Sequence, residues 1–230
     1  MPMFLRIDET IRRSKAWDNP LFQEFRSPQL RWPGWPIARV VGPEYFYVTR
    51  TFPKILSILV ARVDSEQLRA YLVRILYEEL GSGDLKNAHF QLFRSVLEKA
   101  GADHIEGKRR QRKRETLALV DGLTKIYRDR ELSVALGAQY ALEFQAENML
   151  SQLYEGFSKV IRDRRLEFFE VHWTQEVGHI QTMRECLTEA ALDEDEAAIL
   201  EGATECVELF GNFWAAFEPE LLSEPMRPQS

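Results

Sequence analysis

Cysteine is nearly absent from this chain, with 2 in 230 residues, Cys186 and Cys206. Two cysteines make no disulfide framework and show no metal-ligand spacing, so a reducing, cytoplasmic setting is expected. Long hydrophobic runs are missing too. The longest, ILSILVA at 55–61, is far too short to cross a bilayer, and the opening MPMFLRIDETIRR lacks the apolar stretch and cleavage site of a secretory signal. No membrane partner is expected. Positive charge is not in excess: the net charge is −6, which gives no general case for a nucleic-acid partner. Glycine-rich phosphate loops of the GxGxxG or GxxxxGKS/T type and the GxSxG elbow do not occur, which removes those routes to nucleotide binding and serine hydrolysis. Neither a fixed-period repeat nor a series of strands with hairpin turns is present.

What is present is apolar content of 45%, enough to bury a sizeable core without disulfides, arranged mostly at helical spacing. Residues 1–35 are irregular in composition, with a short helix expected around Asn19 to Phe25 and a packed RWPGWP segment after it. An aromatic helix over 37–63 should be kinked at Pro53. Asp64-Ser65 reads as the N-cap of a helix to Glu79, GSGD at 81–84 as a break, and Asp84 as the cap of a helix over 85–100 that Gly101 ends. A basic run, KRRQRKR at 108–114, reads as a solvated loop. Further helices are expected at about 115–129, 131–156 and 158–190, and at 194–217 with Asp193 as cap; 219–230 is a tail. The fold class is therefore all-α: one bundle of about seven or eight helices forming a single domain over 1–230.

Of four histidines, two stand seven residues apart in HWTQEVGH, 172–179. His172, Glu176 and His179 are i, i+4 and i+7 neighbours, so two imidazoles and a carboxylate share one stripe of a helix. That donor set suits iron, manganese or zinc. Alone, the pattern is also that of two ordinary surface or core histidines, and a dinuclear site in a bundle needs carboxylates from several helices. Glu79 and His89 offer a second element, a carboxylate and an imidazole aimed by the GSGD break from two helices. Glu78 and Glu79 could instead be solvated charges, although glutamate at a helix C-terminus opposes the helix dipole. Within ALGAQYALEFQAENML, 135–150, Glu143 lies in an apolar stretch where a carboxylate is costly unless paired or metal-bound. Glu147, one turn on, is the competing candidate.

ILYEELGSGDLKNAHFQLFRSVLEKAG (75–101), ALGAQYALEFQ (135–145) and FFEVHWTQEVGH (168–179) together resemble the haem-oxygenase-like diiron oxidases, iron-containing redox enzymes related to pyrroloquinoline-quinone synthase and the TENA-type thiaminases. The resemblance spans roughly 19–190, with NPLFQEF and EYFYVTRTFPKILSILVARV similar to the early helices. It implies a haem-oxygenase-like bundle, and it places the family's ligand pattern on Glu79, His89, Glu143, His172, Glu176 and His179. Relatives often carry aspartate where Glu176 stands. After Glu143 the chain reads FQAEN, without the proline common in the family.

The resemblance further implies two Fe(II) ions, with O2 as co-substrate, and oxidation of a small carboxylate-bearing substrate, commonly amino-acid-derived, by N-oxygenation or by C–C or C–N cleavage within a biosynthetic pathway. Tyr45, Phe46, Tyr47, Phe52 and Tyr140 are candidates for the substrate pocket, and Arg50 and Arg74 for a carboxylate partner. A homodimer is compatible with this reading. Two alternatives stand beside it: a metal-free thiaminase- or quinone-synthase-like enzyme using the same cavity, and a non-enzymatic helical module docking an acidic partner through KRRQRKR.

Overall fold

The computed structural model describes residues 2–28, 37–102, 111–162, 165–190 and 196–219. Among them are nine α-helices and no strand: α1 (Pro2–Arg12), α2 (Pro20–Arg26), α3 (Gly42–Arg62), α4 (Glu66–Glu79), α5 (His89–Lys99), α6 (Arg114–Asp129), α7 (Leu132–Ser158), α8 (Glu167–Ala190) and α9 (Glu196–Ala215). A π-helical turn, Ile37–Val41, leads into α3. No described helix is long and apolar enough to cross a membrane.

Local chemistry sets many of the boundaries. Asn19 Oδ1 accepts from the Phe22 N–H at 3.0 Å and Pro20 begins α2, where its missing N–H costs nothing. Ser65 caps α4 by accepting from Leu68 N at 3.3 Å. Pro53 sits inside α3 without ending it. Gly101 takes φ +73 beyond α5, as a left-handed helix stop.

Three expectations are corrected. First, α1 is helical although 1–35 reads as irregular; Phe4, Ile7 and Ile11 share one face and are buried against α7 and α9. Second, Asp84 caps only a 3₁₀ turn, Leu85–Asn87, by accepting from Lys86 N at 3.0 Å, and α5 begins afresh at His89. Third, the helix expected from 158 starts at Glu167, after a connection that buries Ile161 and Leu166. The expected cap Asp193 and the RWPGWP segment lie outside the described residues.

The basic run is also no free loop where it is described. Arg112 Nη1 donates to the Pro43 carbonyl at 2.9 Å and pairs with fully buried Glu44 at 3.7 Å. Lys113 donates its backbone N–H to Glu44 at 3.3 Å and its Nζ to the Ala216 carbonyl at 3.0 Å. These contacts tie the segment before α6 to the start of α3 and the end of α9.

The core is organised on α7, which is apolar nearly all round, as a helix enclosed by others must be. Its largest partner is α9, and α8 lies along another side. Ideal Cβ atoms at Gly137 of α7 and Gly202 of α9 would lie 2.0 Å from the Ile199 carbonyl oxygen and 1.8 Å from that of Val134, so the two backbones touch where both residues lack side chains. Side chains from each of the helices α3 to α9 line one cavity between them.

Candidate metal centre

The cavity is small, with about 70 Å³ open to the centre of a water molecule. Its walls are apolar, from Val48, Phe52, Ile55, Ile75, Leu123, Leu142 and others, except where Glu78, Glu79, His89, Glu143, His172 and His179 converge. Five of these six are expected from sequence. Glu176 is on α8, one turn beyond His172, with its side chain outside the described residues.

One group comprises Glu79, His89 and His172, whose potential donor atoms all lie within 4.8 Å of one another. Glu79 ends α4 and His89 begins α5, so the intervening tight turn brings the two together from opposite helix ends. Gly81 and Gly83 hold positive φ in that turn, and Ser82 joins them at φ 53. Glu79 Oε1 lies 2.9 Å from His89 Nδ1. The approach is off the line of a hydrogen bond, leaving both ring nitrogens of buried His89 without a hydrogen-bond partner. Nε2 in particular, a buried nitrogen without a hydrogen bond, calls for a partner the protein itself does not supply. Burial would push His89 down in pKa, but the Glu79 carboxylate outweighs it and holds His89 above its ordinary value. For Glu79, burial pushes upward, yet the neighbouring His89 charge keeps it below the usual carboxylate range.

His172 sits with its ring centroid 4.2 Å from that of His89. Its Nδ1 is 2.6 Å from the Phe168 carbonyl oxygen, which can only accept, so Nδ1 carries the proton and Nε2 keeps its lone pair. Burial, then the charge of His89, pulls the His172 pKa down to about 3. A neutral ring with a fixed tautomer is what a metal-ligating histidine requires.

The other group centres on His179, one face of the same helix seven residues on. Its Nε2 is 2.6 Å from Glu78 Oε2 and its Nδ1 is 3.3 Å from Glu143 Oε2. Burial lowers its proton affinity, but the two carboxylates reverse the effect and raise it above the ordinary value. Tyr71 of α4 donates to the His179 carbonyl at 2.5 Å, pinning α4 to α8 beside this group. Glu78 is the residue that sequence reasoning missed. The signal was two consecutive acids at a helix end where the dipole disfavours them; only the crossing of α4 with α8 shows that both turn inward.

Tyr45 and Phe52 line the cavity. Phe46, Tyr47 and Tyr140 do not: Phe46 is in the core, Tyr47 lies under the Arg112 guanidinium at 5.0 Å, and the Tyr140 hydroxyl donates to Asp8 at 2.6 Å and accepts from Arg184 at 2.9 Å. Arg50 is exposed, and Arg74 lies 52% exposed near Glu78, at 3.9 Å. Among the described lining residues there is no lysine or arginine.

The donor chemistry fits a carboxylate- and imidazole-bound transition metal, with Glu79, His89 and His172 able to hold one ion and Glu143, His179 and Glu78 able to serve a second. A 4-aminobenzoate synthase from Chlamydia pneumoniae is 25% identical over 177 residues, covering 76% of this chain and 77% of that protein. A 4-chloro-allylglycine synthase from Streptantibioticus cattleyicolor is 27% identical over 179 residues, covering 74% of this chain and 66%, just under two thirds, of that protein. The fold matches the crystal structure of a CADD-like protein of unknown function from Nostoc punctiforme, with TM-score 0.78, 18% identity and coverage of 96% and 97% of the two chains. It is thus the haem-oxygenase-like all-α fold that the resemblance implies. Residues 41–211, which contain every donor named above, match the family described as iron-containing redox enzyme, and the chain belongs to that family.

Proposed function

We propose that this protein is an O2-dependent non-haem diiron oxidase or oxygenase acting on a small, carboxylate-bearing, amino-acid-derived substrate. The observation that carries the reading is the convergence of three carboxylates and three histidines on one cavity, with His89 Nε2 left without a hydrogen-bond partner. Iron bound there would supply the capacity to bind and reduce O2, which no side chain has. The chain's own contribution is geometric. Phe168 fixes the His172 tautomer, Tyr71 fixes the backbone at His179, and the apolar walls from α3 and α7 exclude water from the reacting space.

Substrate class is supported by two features. The cavity is small, and Tyr45 and Thr49 are the neutral polar side chains on its described lining. The compounds named for the two relatives, 4-aminobenzoate and 4-chloro-allylglycine, each carry an amine and a carboxylate. A thiaminase-like reading that places a cysteine nucleophile in the cavity has less support: Cys186 and Cys206 are buried away from the described lining, and burial pushes the Cys206 thiol far up.

Anaerobic loading with Fe(II), followed by rapid mixing with O2, tests the proposal. Two irons per chain and a transient visible absorption that changes with an amino-acid substrate are expected. His172→Ala and Glu143→Ala should each lose iron; if both keep the wild-type stoichiometry, the site is misassigned.

A further inference from the structure

Behind Glu143 lies a buried chain of hydrogen bonds that the donor set does not include. The Tyr127 hydroxyl, on α6, is 2.6 Å from Gln139 Oε1 on α7. Gln139 Nε2 donates to Glu143 Oε1 at 2.5 Å, one helical turn on. The other oxygen of Glu143, Oε2, is the one that faces His179. Tyr127 and Gln139 are both fully buried, and neither touches the cavity.

The direction of the chain is set by chemistry. A carboxylate beside an amide needs a donor, so the Gln139 NH2 must face Glu143 and its carbonyl oxygen must face Tyr127. That buried carbonyl then needs a donor of its own. The Tyr127 phenol can supply one only while it keeps its proton, and burial above all, with the Glu143 carboxylate adding to it, raises its pKa well above the ordinary value. Without the hydroxyl the Gln139 amide is free to turn its oxygen toward Glu143, where two acceptors would oppose each other.

We infer that Tyr127 and Gln139 are a positioning pair that commits one oxygen of Glu143 to the protein and leaves the other to a metal at the His179 group. The inference rests on the reading of Glu143 as a metal donor, and its consequence is selective. Affinity for the ion at His179 should depend on the pair, while the Glu79, His89 and His172 group, held from α4, α5 and α8 and not from α6 or α7, should not.

Anaerobic titration with Fe(II), and in parallel with Co(II) so that the ligand-field spectrum reports each ion, tests this on the intact chain. Glu143→Ala should abolish binding of the ion at His179. Tyr127→Phe and Gln139→Leu should each weaken that ion by about 10- to 100-fold, the usual range for residues that orient a ligand, and leave the ion at Glu79, His89 and His172 and its spectrum unchanged. Because Tyr127 acts through Gln139, the double variant should bind no more weakly than Gln139→Leu alone. If Glu143→Ala loses the ion but neither Tyr127→Phe nor Gln139→Leu shifts its affinity, the pair has no positioning role and the metal reading stands. Additive losses in the double variant, or equal weakening of both ions, would also overturn it, the latter exposing a general structural defect. Should Glu143→Ala leave both ions in place, the metal reading of Glu143 fails and the inference falls with it.

Discussion

His89 and His172 are two buried imidazoles, ring centroids 4.2 Å apart, that burial pushes the same way but whose proton affinities end on opposite sides of the ordinary value. His89 faces the Glu79 carboxylate and holds its proton above the ordinary value; His172 faces a carbonyl and the charge of His89 and gives its proton up at about 3. His179, between two carboxylates, behaves like His89. In the metal-free protein the raised pair contributes stability that is complete below the unfolded histidine value and is lost as pH rises through the folded values. His172 has the opposite sign, since its unfolded form takes up a proton that the folded form refuses until about 3. The two signs oppose each other in stability, so metal affinity is the cleaner measurement. Metal must displace protons from His89 and His179, and affinity should therefore rise with pH between about 6 and 8. Calorimetric titrations in buffers of different ionisation enthalpy should show proton release at the lower pH. Affinity independent of pH across that range would contradict the assignment of these two rings as ligands.

Among the elements, the contact of α7 with α9 and the turn from α4 to α5 hold the site's dimensions. A methyl at residue 202 would meet the Val134 carbonyl oxygen at 1.8 Å, and backbone cannot yield as a side-chain tip can. Gly202→Ala should lower stability by at least the ~1–3 kcal/mol typical of overpacking, read as a lowered midpoint in urea, and should displace α7 and with it Glu143. At residue 81, φ is +89 and a Cβ would lie 2.2 Å from the Asp84 carbonyl oxygen. Gly81→Ala should therefore disturb the spacing of Glu79 from His89 and weaken the metal ion held by Glu79, His89 and His172, measured by titration, as well as lower the unfolding midpoint. A variant with full stability and unaltered metal affinity would show that this turn does not set the site.

For the molecule as a whole, the segment before α6 acts as a clasp between the beginning of α3 and the end of α9. Glu44 is fully buried, and the Arg112 side chain beside it is 10% exposed. Removing one partner of a buried ion pair leaves the other charge uncompensated, at a cost of about 3–5 kcal/mol. Lys113 N–H still reaches Glu44, so Arg112→Ala should fall toward the lower end of that range. Glu44→Gln in the Arg112→Ala background should recover part of the loss, as chemical denaturation would show. No recovery would mean that the Arg112 contact with Tyr47, and not its charge, dominates.

Much of this architecture is legible in the chain itself. Apolar residues at helical spacing, Ser65 and Asn19 as caps, and Gly101 as a stop locate helices because their causes are local. The i, i+4, i+7 stripe on α8 likewise follows from helix geometry alone. Resemblance to a family added Glu79, His89 and Glu143, which spacing could suggest but not join. The rest needed the fold. Helix α1 was hidden because its apolar face is short, and only the surface of α7 and α9 shows that it is a face. Glu78 and Glu79 are adjacent acids to any local rule; the crossing of α4 with α8 turns one to His179 and the other to His89. Tyr140 and Tyr127 are both buried tyrosines near Glu143 in the fold, yet one is held by Asp8 and Arg184 and the other by Gln139. Sequence by itself determined which residues have the chemistry for a metal centre and which helices carry them, because composition and periodicity act within a few turns. Tertiary structure alone decided which of them meet, since a partner 30 or 100 residues away is chosen by packing across the whole core.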